Sequence, residues 1–467
     1  MSLANTGAAS SRKGINYLAN RRLGINSTFK ALFLGDPVLI RILYTLILLL
    51  AAPLLLFGLY QSKPNKPKFG ARWKEHFGLT PTLTNAQPVI WLHAVSVGES
   101  LAAIPVLRAL KQGYPDYQIV VTTTTSTGAA QIAKLGDLVS HRYMPIDLPV
   151  CINGFIRNIK PSCLLIMETE LWPNTLASAK AAGIPVCIVN ARLSVRSAGR
   201  YGKFQWVFNE ISRHIDHLFC VAQSDADRFK QLGLTAQQVS VTGSIKNDIQ
   251  INSSVTEQAQ TLRHQLGATR PVWVAASTHK GEDEQVLDAF KAVLKTLPDS
   301  LLILVPRHPE RFDAMAQLCQ DMGFSVQRRS QGFNPTQPCQ VYLADSMGEM
   351  LLMLAAADAT FMGGSLIGDA VGGHNMLEPA ALAKPTITGP SYYNFTEIAE
   401  QLRQAQGLWV CQNSEQLAAQ MTQLLSDQGL AQQVGQAALQ VVKQNQGAVA
   451  KTVQGLSAYL EMSKGQP

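Results

Sequence analysis

Short apolar runs alternate with amphipathic stretches along most of the chain. Apolar runs cover residues 89–93, 118–123, 163–167, 186–190 and 218–222, and apolar positions at three- to four-residue spacing cover 100–111, 128–135, 175–182 and 224–232. A short apolar run bounded by turn residues reads as a strand buried on both faces, and the 3.6-residue period reads as a helix. A second set begins near residue 239, with runs at 239–242, 272–277, 301–305, 341–343, 359–362 and 386–388 and helical stretches at 282–297, 309–322, 347–357 and 414–425. Such alternation predicts parallel sheets with helices on both faces. A chain of 467 residues exceeds one ordinary core, so two domains are expected. The predicted fold is α/β: two Rossmann-like domains facing a cleft, residues 63–248 forming the first and residues 249–467 the second, which ends in helices. The polar stretch 246–270 is expected to cover the connection.

The N-terminal region departs from this pattern. Residues 1–36 are polar and basic with little periodicity, and read as a flexible tail. Residues 42–60 then form an uncharged apolar run, about the length needed to cross a hydrocarbon core of roughly 30 Å. Lys30 and Arg41 precede it and Lys63, Lys66, Lys68 and Arg72 follow, so the positive-inside rule sets no orientation. Pro53 leaves open a kinked or monotopic segment. Residues 37–62 are read as a membrane anchor.

Charge and composition narrow the partners. A net charge of +8 favours an anionic partner, yet there is no dense basic run or aromatic–basic motif of the kind that binds nucleic acid. The seven cysteines are scattered, mostly in apolar runs, and read as buried reduced thiols. Neither the dinucleotide fingerprint GxGxxG nor a Walker A loop is present.

Candidate chemistry lies at the strand ends, because ligands in open α/β sheets bind beyond the carboxyl ends. Trp91-Leu92-His93-Ala94-Val95-Ser96-Val97-Gly98-Glu99-Ser100 passes from a strand through small residues into a helix. Glu99 in its first turn either complements the helix dipole or acts as a general base. Ser96 and Gly98 in the same turn are candidate substrate contacts. Glu168-Thr169-Glu170-Leu171-Trp172-Pro173-Asn174 follows another strand, and two acids there are hard to justify as packing. Further strands end in Asn190-Ala191-Arg192 and Gly243-Ser244-Ile245-Lys246, so Arg192 and Lys246 add cations suited to a phosphorylated or carboxylated substrate.

In the second domain, Pro306-Arg307-His308-Pro309 leaves Arg307 and His308 in a loop. Asp345, Ser346, Met347, Gly348 and Glu349 read as a capping box at a helix start. Gly363-Gly364-Ser365-Leu366 and Gly372-Gly373-His374-Asn375-Met376-Leu377-Glu378 run glycines toward a helix start, whose amides suit a phosphate, with Glu378 available to ribose hydroxyls. Gly373 and His374 join the candidate substrate contacts; plain turn chemistry is the competing reading. Asp225-Ala226-Asp227 is better explained as helix-start charge than as a metal motif, and His214 and His217 read as surface residues, so no metal site is expected.

Taken in order, residues 93–99, 168–174, 190–194, 243–246, 306–311, 347–349 and 372–379 resemble the 3-deoxy-D-manno-octulosonic acid (Kdo) transferases of Gram-negative bacteria. The resemblance spans roughly residues 40–455; the tail of residues 1–36 extends beyond the usual start of the family. It implies a GT-B architecture, cytidine monophosphate-Kdo (CMP-Kdo) as donor, the lipid A precursor lipid IVA as acceptor, and a metal-independent inverting reaction without cofactor. The enzyme would sit on the cytoplasmic face of the bacterial inner membrane. By motif match, Glu99 is the general base, Glu168 and Lys246 stabilise the transition state, and Pro306, Arg307, Met347, Gly348, Glu349, Asn375, Met376, Leu377 and Glu378 bind the cytidine nucleotide. Another GT-B enzyme, a uridine-donor transferase or an epimerase, is the alternative; a non-catalytic adaptor would not be expected to keep all these side chains. A base at a helix N-terminus has its pKa pulled down, so an opposing influence from Glu168 or desolvation is expected.

Overall fold

A computed structural model describes residues 37–61, 67–83, 87–249 and 251–462. The tail predicted at residues 1–36 lies outside these. The described residues fall into two compact units, one running to Ile245 and resuming at Gly447, the other Lys246–Gln446.

The first unit is built on β1 (Val89–His93), β2 (Gln118–Thr123), β3 (Ser140–Tyr143), β4 (Pro161–Met167), β5 (Val186–Ala191), β6 (His217–Cys220) and β7 (Val239–Val241), ordered β3-β2-β1-β4-β5-β6-β7 and parallel throughout. Both faces are buried. Val89 and Trp91 point into one apolar layer and Ile90 and Leu92 into the other, as the two-residue period of a strand requires. Helices α2 (Val97–Gly113) and α3 (Pro173–Ala181) follow β1 and β4.

The second unit repeats the plan with β8 (Val272–Thr278), β9 (Leu301–Pro306), β10 (Val326–Arg328), β11 (Val341–Leu343), β12 (Ala359–Met362), β13 (Thr386–Thr388) and β14 (Leu408–Val410), ordered β10-β11-β9-β8-β12-β13-β14. The two parallel-sheet Rossmann-like domains are those of a GT-B architecture. Ahead of them stands helix α1 (Pro37–Tyr60), and residues 38–60 are long and apolar enough to cross a membrane.

Three strands, β3, β10 and β14, escaped the apolar-run reading. Each is an edge of its sheet and partly exposed; β3 and β10 carry polar residues such as His141, Arg142 and Gln327 that blur the pattern, and β14 is only three residues long. β7, grouped by the alternation with the second set, instead completes the first sheet, with Leu218 opposite Val239. The last helix, α8 (Ala448–Met462), was expected at the end of the second domain and packs on the first sheet instead. Ala448, Leu456 and Leu460 are fully buried there, and the Leu460 carbonyl accepts a 2.6 Å bond from the Tyr117 hydroxyl. Gly455 makes this approach possible, since a Cβ there would stand 2.4 Å from the Phe219 ring.

Candidate active site

In the first sheet β1 leads outward to β2 and β4 leads the other way to β5, so the strand order reverses between them, the usual place for a ligand site. The chain leaving β1 makes a tight turn in which Ser96, in extended backbone, caps α2 by accepting the Glu99 amide at 3.3 Å. Glu99 answers reciprocally. Its Oε1 accepts the Ser96 hydroxyl at 2.7 Å and its Oε2 the Val95 amide at 2.8 Å. Ser-x-x-Glu thus forms a variant of the capping box in which Glu99 reaches the Val95 amide instead of the Ser96 amide; the sequence reading places the box at Ser346–Glu349.

The capping role does not remove Glu99 from chemistry. It is 8% exposed. Burial raises its pKa above the ordinary value, the bonds from Ser96 and Val95 pull it down, and the charges of Glu170 and Glu168 raise it again. The opposition expected from desolvation and Glu168 is therefore present, with Glu170 as an additional contributor.

The chain leaving β4 brings those two acids to the same edge. Glu168 is held in left-handed backbone at φ 59°, and Asn190 and Ser277 at the ends of β5 and β8 share this conformation at φ 58°. Such backbone costs on the order of 1–3 kcal/mol and tends to gather at functional sites. Thr169, unnoticed in the sequence, accepts the Arg192 amide at 3.2 Å and donates to the Arg192 carbonyl at 2.5 Å, locking together the β4 and β5 ends. Glu170 accepts the Trp172 indole N–H at 3.1 Å, and Trp172 packs edge-on against buried His93 with ring centroids 5.2 Å apart. Burial lowers the His93 pKa to about 4. Arg192 is exposed and donates to the Ser244 hydroxyl at 3.0 Å. The Asn190 side chain accepts the Ile245 amide at 3.1 Å, fixing the turn whose next residue is the exposed Lys246. Gly98 is exposed beside Glu99.

Asp225 stands in the first turn of the helix Gln223–Gln231, as the helix-start reading has it, without capping it: it accepts the Leu193 amide at 2.9 Å and pairs with Arg228 at 3.0 Å, so it steadies the segment after Arg192. His214 and His217 are not surface residues. His214 is buried 3.3 Å from Glu210, and half-buried His217, the first residue of β6, bonds the Ser240 hydroxyl at 2.8 Å. Among the described residues no group of His, Cys, Asp and Glu is arranged to hold a metal ion.

In the second unit the strand order reverses between β8 and β12. The first glycine loop does not offer its amides to a phosphate. Glu282, fully buried at the start of α6 (Asp283–Thr296), accepts the amides of Gly364, Ser365 and Leu366 at 2.6, 2.9 and 2.9 Å. The helix start beyond the second loop is also spoken for: α7 (Leu377–Ala381) has only five residues, and Asn375 accepts its first amide at 3.1 Å.

What those loops build is a cationic corner. His279, which the sequence reading missed, meets His374 with Nε2 atoms 2.8 Å apart and rings stacked at 5.1 Å. His308 packs edge-on against His279 at 5.4 Å. Burial and the neighbouring cations lower the His279 pKa and take that of His374 to about 4. Arg307 and His308 are exposed, whereas Arg311 is committed to the Thr278 carbonyl at 3.0 Å and to Asp283. Gly364 has φ 70°, and a Cβ on it would meet the His374 ring at 2.9 Å, so glycine is needed there. Gly373 donates to the Gly364 carbonyl at 2.8 Å, tying the two loops.

Glu378 accepts the Asn375 side-chain amide at 3.3 Å, and burial raises its pKa. Met376 and Leu377 are buried in the core, so they position backbone. Pro306, also buried, ends β9. The expected capping box at Glu349 is absent. Glu349 itself stands at the cap position, its carboxylate held by Arg329 at 2.7 Å and kept below the usual carboxylate range, while Asp345 pairs with Arg328 at 2.7 Å. Met347 and Gly348, the latter at φ 86°, form the exposed rim of that turn.

Comparison with known proteins adds the family. Residues 71–249 match the family described as 3-Deoxy-D-manno-octulosonic-acid transferase (kdotransferase), and residues 273–441 match Glycosyl transferases group 1. The chain is 39% identical over 424 residues to a 3-deoxy-D-manno-octulosonic acid transferase of Haemophilus influenzae, covering 90% of this chain and 99% of that protein. It is 34% identical over 383 residues to the Bordetella pertussis protein of the same description, covering 79% and 87%. A crystal structure of a UDP-N-acetylglucosamine 2-epimerase aligns over 83% of this chain and 99% of that one, with a TM-score of 0.52 and 16% identity. At that identity the likeness is one of fold, and chemistry belongs to sites rather than folds.

Proposed function

The chain belongs to the 3-deoxy-D-manno-octulosonic acid transferase family, and from that membership we propose that it moves Kdo from CMP-Kdo to lipid IVA, with inversion and with Glu99 as general base. The observation that carries the reading is Glu99, a buried carboxylate at the switch point of the first sheet, with its pKa raised by burial and by two neighbouring acids. A base with a raised pKa accepts a proton more readily.

In the proposed step, Glu99 takes the proton of an acceptor sugar hydroxyl. That oxygen bonds to the anomeric carbon of Kdo, and the bond from that carbon to the phosphate oxygen breaks, so cytidine monophosphate leaves with the electron pair. Growing charge on the phosphate calls for cations. In the second unit Arg307 supplies one, and the His279–His374 pair beside His308, neutral when free, becomes one on taking up a proton, with the turns at Met347–Glu349 and Asn375–Glu378 holding the nucleoside. In the first unit Arg192 meets the acceptor phosphates or the donor carboxylate, and Glu168, with Lys246 from the start of the second unit, is assigned to the transition state. No metal is assigned to the reaction. Helix α1 would anchor the enzyme at the cytoplasmic face of the inner membrane, where glycolipid and sugar nucleotide meet.

Purified full-length protein, CMP-Kdo and lipid IVA test the reading, with products weighed by mass spectrometry. Kdo addition with release of cytidine monophosphate is expected, unaffected by chelator. Glu99→Gln, shown to be folded, should lower the rate about 10²–10⁴-fold. Ordinary turnover by that variant would remove Glu99 from the role, and preferential binding of uridine diphosphate over cytidine monophosphate would favour a uridine-donor enzyme.

A further inference from the structure

Helix α1 is fastened to the first unit near both ends. Toward its start, the Asn174 side-chain amide donates to the Thr45 hydroxyl at 2.9 Å and to the Asp147 carbonyl at 2.7 Å. The buried Asp147 carboxylate accepts the Asn174 and Thr175 amides at 3.1 and 2.6 Å and also bonds Tyr44. At the far end, the Tyr60 hydroxyl is 2.7 Å from His76 Nδ1, and its ring meets Phe69 edge-on at 5.4 Å. His76 and Phe69 are buried in the unit, in a segment that Glu75 secures by accepting the Tyr143 amide at 2.7 Å.

Along the helix, Arg41, Tyr44, Thr45, Leu48, Ala52 and Leu59 are half-buried and recur at helical spacing, which places them on one face. Leu43, Leu46, Leu50, Leu54 and Phe57 are exposed on the opposite face. The helix therefore lies lengthwise on the unit. Its two fastenings, Thr45 and Tyr60, are about 22 Å apart along the axis at 1.5 Å per residue. Standing upright in a hydrocarbon core of roughly 30 Å, the helix would drag one of them, with Asp147 or the Arg72–Glu75 ion pair, deep into lipid.

A second observation points the same way. Helix α5 (Gln205–Ser212) packs against α1, and the preceding α4 (Val195–Lys203) has no buried side chain. It sets exposed Val195 and, just beyond it, Phe204 among Arg196, Arg200 and Lys203, the composition of a segment resting on anionic headgroups.

We propose that α1 does not cross the bilayer but lies in the plane of one anionic leaflet, with the first unit seated lengthwise on it. This rests on the reading of α1 as a membrane anchor. It keeps both ends of the helix on one side of the membrane. It also ties the loop carrying Glu168 and Glu170, which runs directly into Asn174, to the membrane-embedded element.

The test uses full-length protein in phosphatidylethanolamine–phosphatidylglycerol vesicles, with a fluorophore on single cysteines replacing Leu43, Leu50 or Phe57. All three positions are exposed, and the seven native cysteines are buried. Quenching by lipids labelled at different depths should place all three at one shallow depth, about 5–10 Å below the headgroups. A maximum depth at Leu50 with both flanking labels shallow would overturn the proposal. Absence of quenching at all three would instead reject the anchor reading beneath it. As a second readout, Val38→Cys and Gln61→Cys should both react with a membrane-impermeant thiol reagent from the same side of sealed vesicles; reaction from opposite sides would overturn the proposal.

Discussion

Glu99 closes the capping of α2 and is also the candidate base, and both roles depend on Ser96. The Ser96 hydroxyl donates to the carboxylate at 2.7 Å and so favours its charged form. Ser96→Ala removes that influence, and the Glu99 pKa should rise further. The ionised carboxylate is the working base, so the acidic limb of the kcat/KM profile should move to higher pH, with about 1 kcal/mol of stability lost with the cap. An unmoved limb would detach the limb from Glu99. The histidine pair makes a second residue-scale prediction. A 2.8 Å contact between two Nε2 atoms requires one donor and one acceptor, and both pKa values are lowered, so the free pair is neutral at pH 7. A phosphate beside it would favour the imidazolium and raise the pKa in the bound state, although Arg307, His308 and Arg311 press the other way. Cytidine monophosphate should therefore bind more tightly as pH falls from about 8 to about 6, taking up a proton, and lose that affinity as pH rises through the bound-state pKa. Calorimetry in buffers of different ionisation enthalpy measures the uptake; His374→Gln should flatten the slope.

At the scale of elements, glycine-rich loops need not be open amide cradles. Glu282 occupies the amides of Gly364, Ser365 and Leu366, converting a mobile type of loop into a fixed shelf on which His374 rests. Glu282→Ala leaves three N–H groups without this partner, those of Gly364 and Ser365 on buried residues, at about 1–3 kcal/mol for each buried group. It should lower the melting temperature of the protein and weaken nucleotide binding more than Glu282→Gln, which retains one acceptor oxygen. Equal behaviour of the two variants would show that the shelf does not depend on acceptors at this position. The two Ser-x-x-Glu stretches make the same point about local motifs. Both serine hydroxyls donate to their glutamates, but Ser96 stands at the cap of its helix with Glu99 in the first turn, whereas the helix after Ser346 starts only beyond Glu349, whose carboxylate Arg329 also holds.

At the scale of the molecule, the chain visits the first unit twice, because α8 covers the face formed by Cys163, Cys187 and Phe219. Leu456 and Leu460 are fully buried there, each contributing about 2 kcal/mol of apolar burial. Deleting residues 447–467 should thus destabilise the first unit by several kcal/mol, visible as earlier unfolding of Trp91 fluorescence, even though the removed segment is the far end of the chain. A first unit that melts normally without it would make α8 dispensable cover.

The sequence by itself determined the α/β class, the central strands, the apolar helix and the strand-end motifs. Those are local facts: buried parallel strands must be continuously apolar, and helices carry their own period. It also held the pieces of the site, since Glu99, Glu168, Arg192, Arg307 and His374 all stand at strand ends or in the loops beyond them. Tertiary structure alone decided which partners they meet. Glu170 acts on Glu99, Thr169 clamps Arg192, His279 pairs with His374 across 95 residues, and Glu282 silences a loop 82 residues away. It also decided that α1 lies along a domain and that α8 returns to the first sheet. These are pairings between side chains distant in sequence, set by strand order and packing, and neither leaves a period or a spacing for the sequence to display.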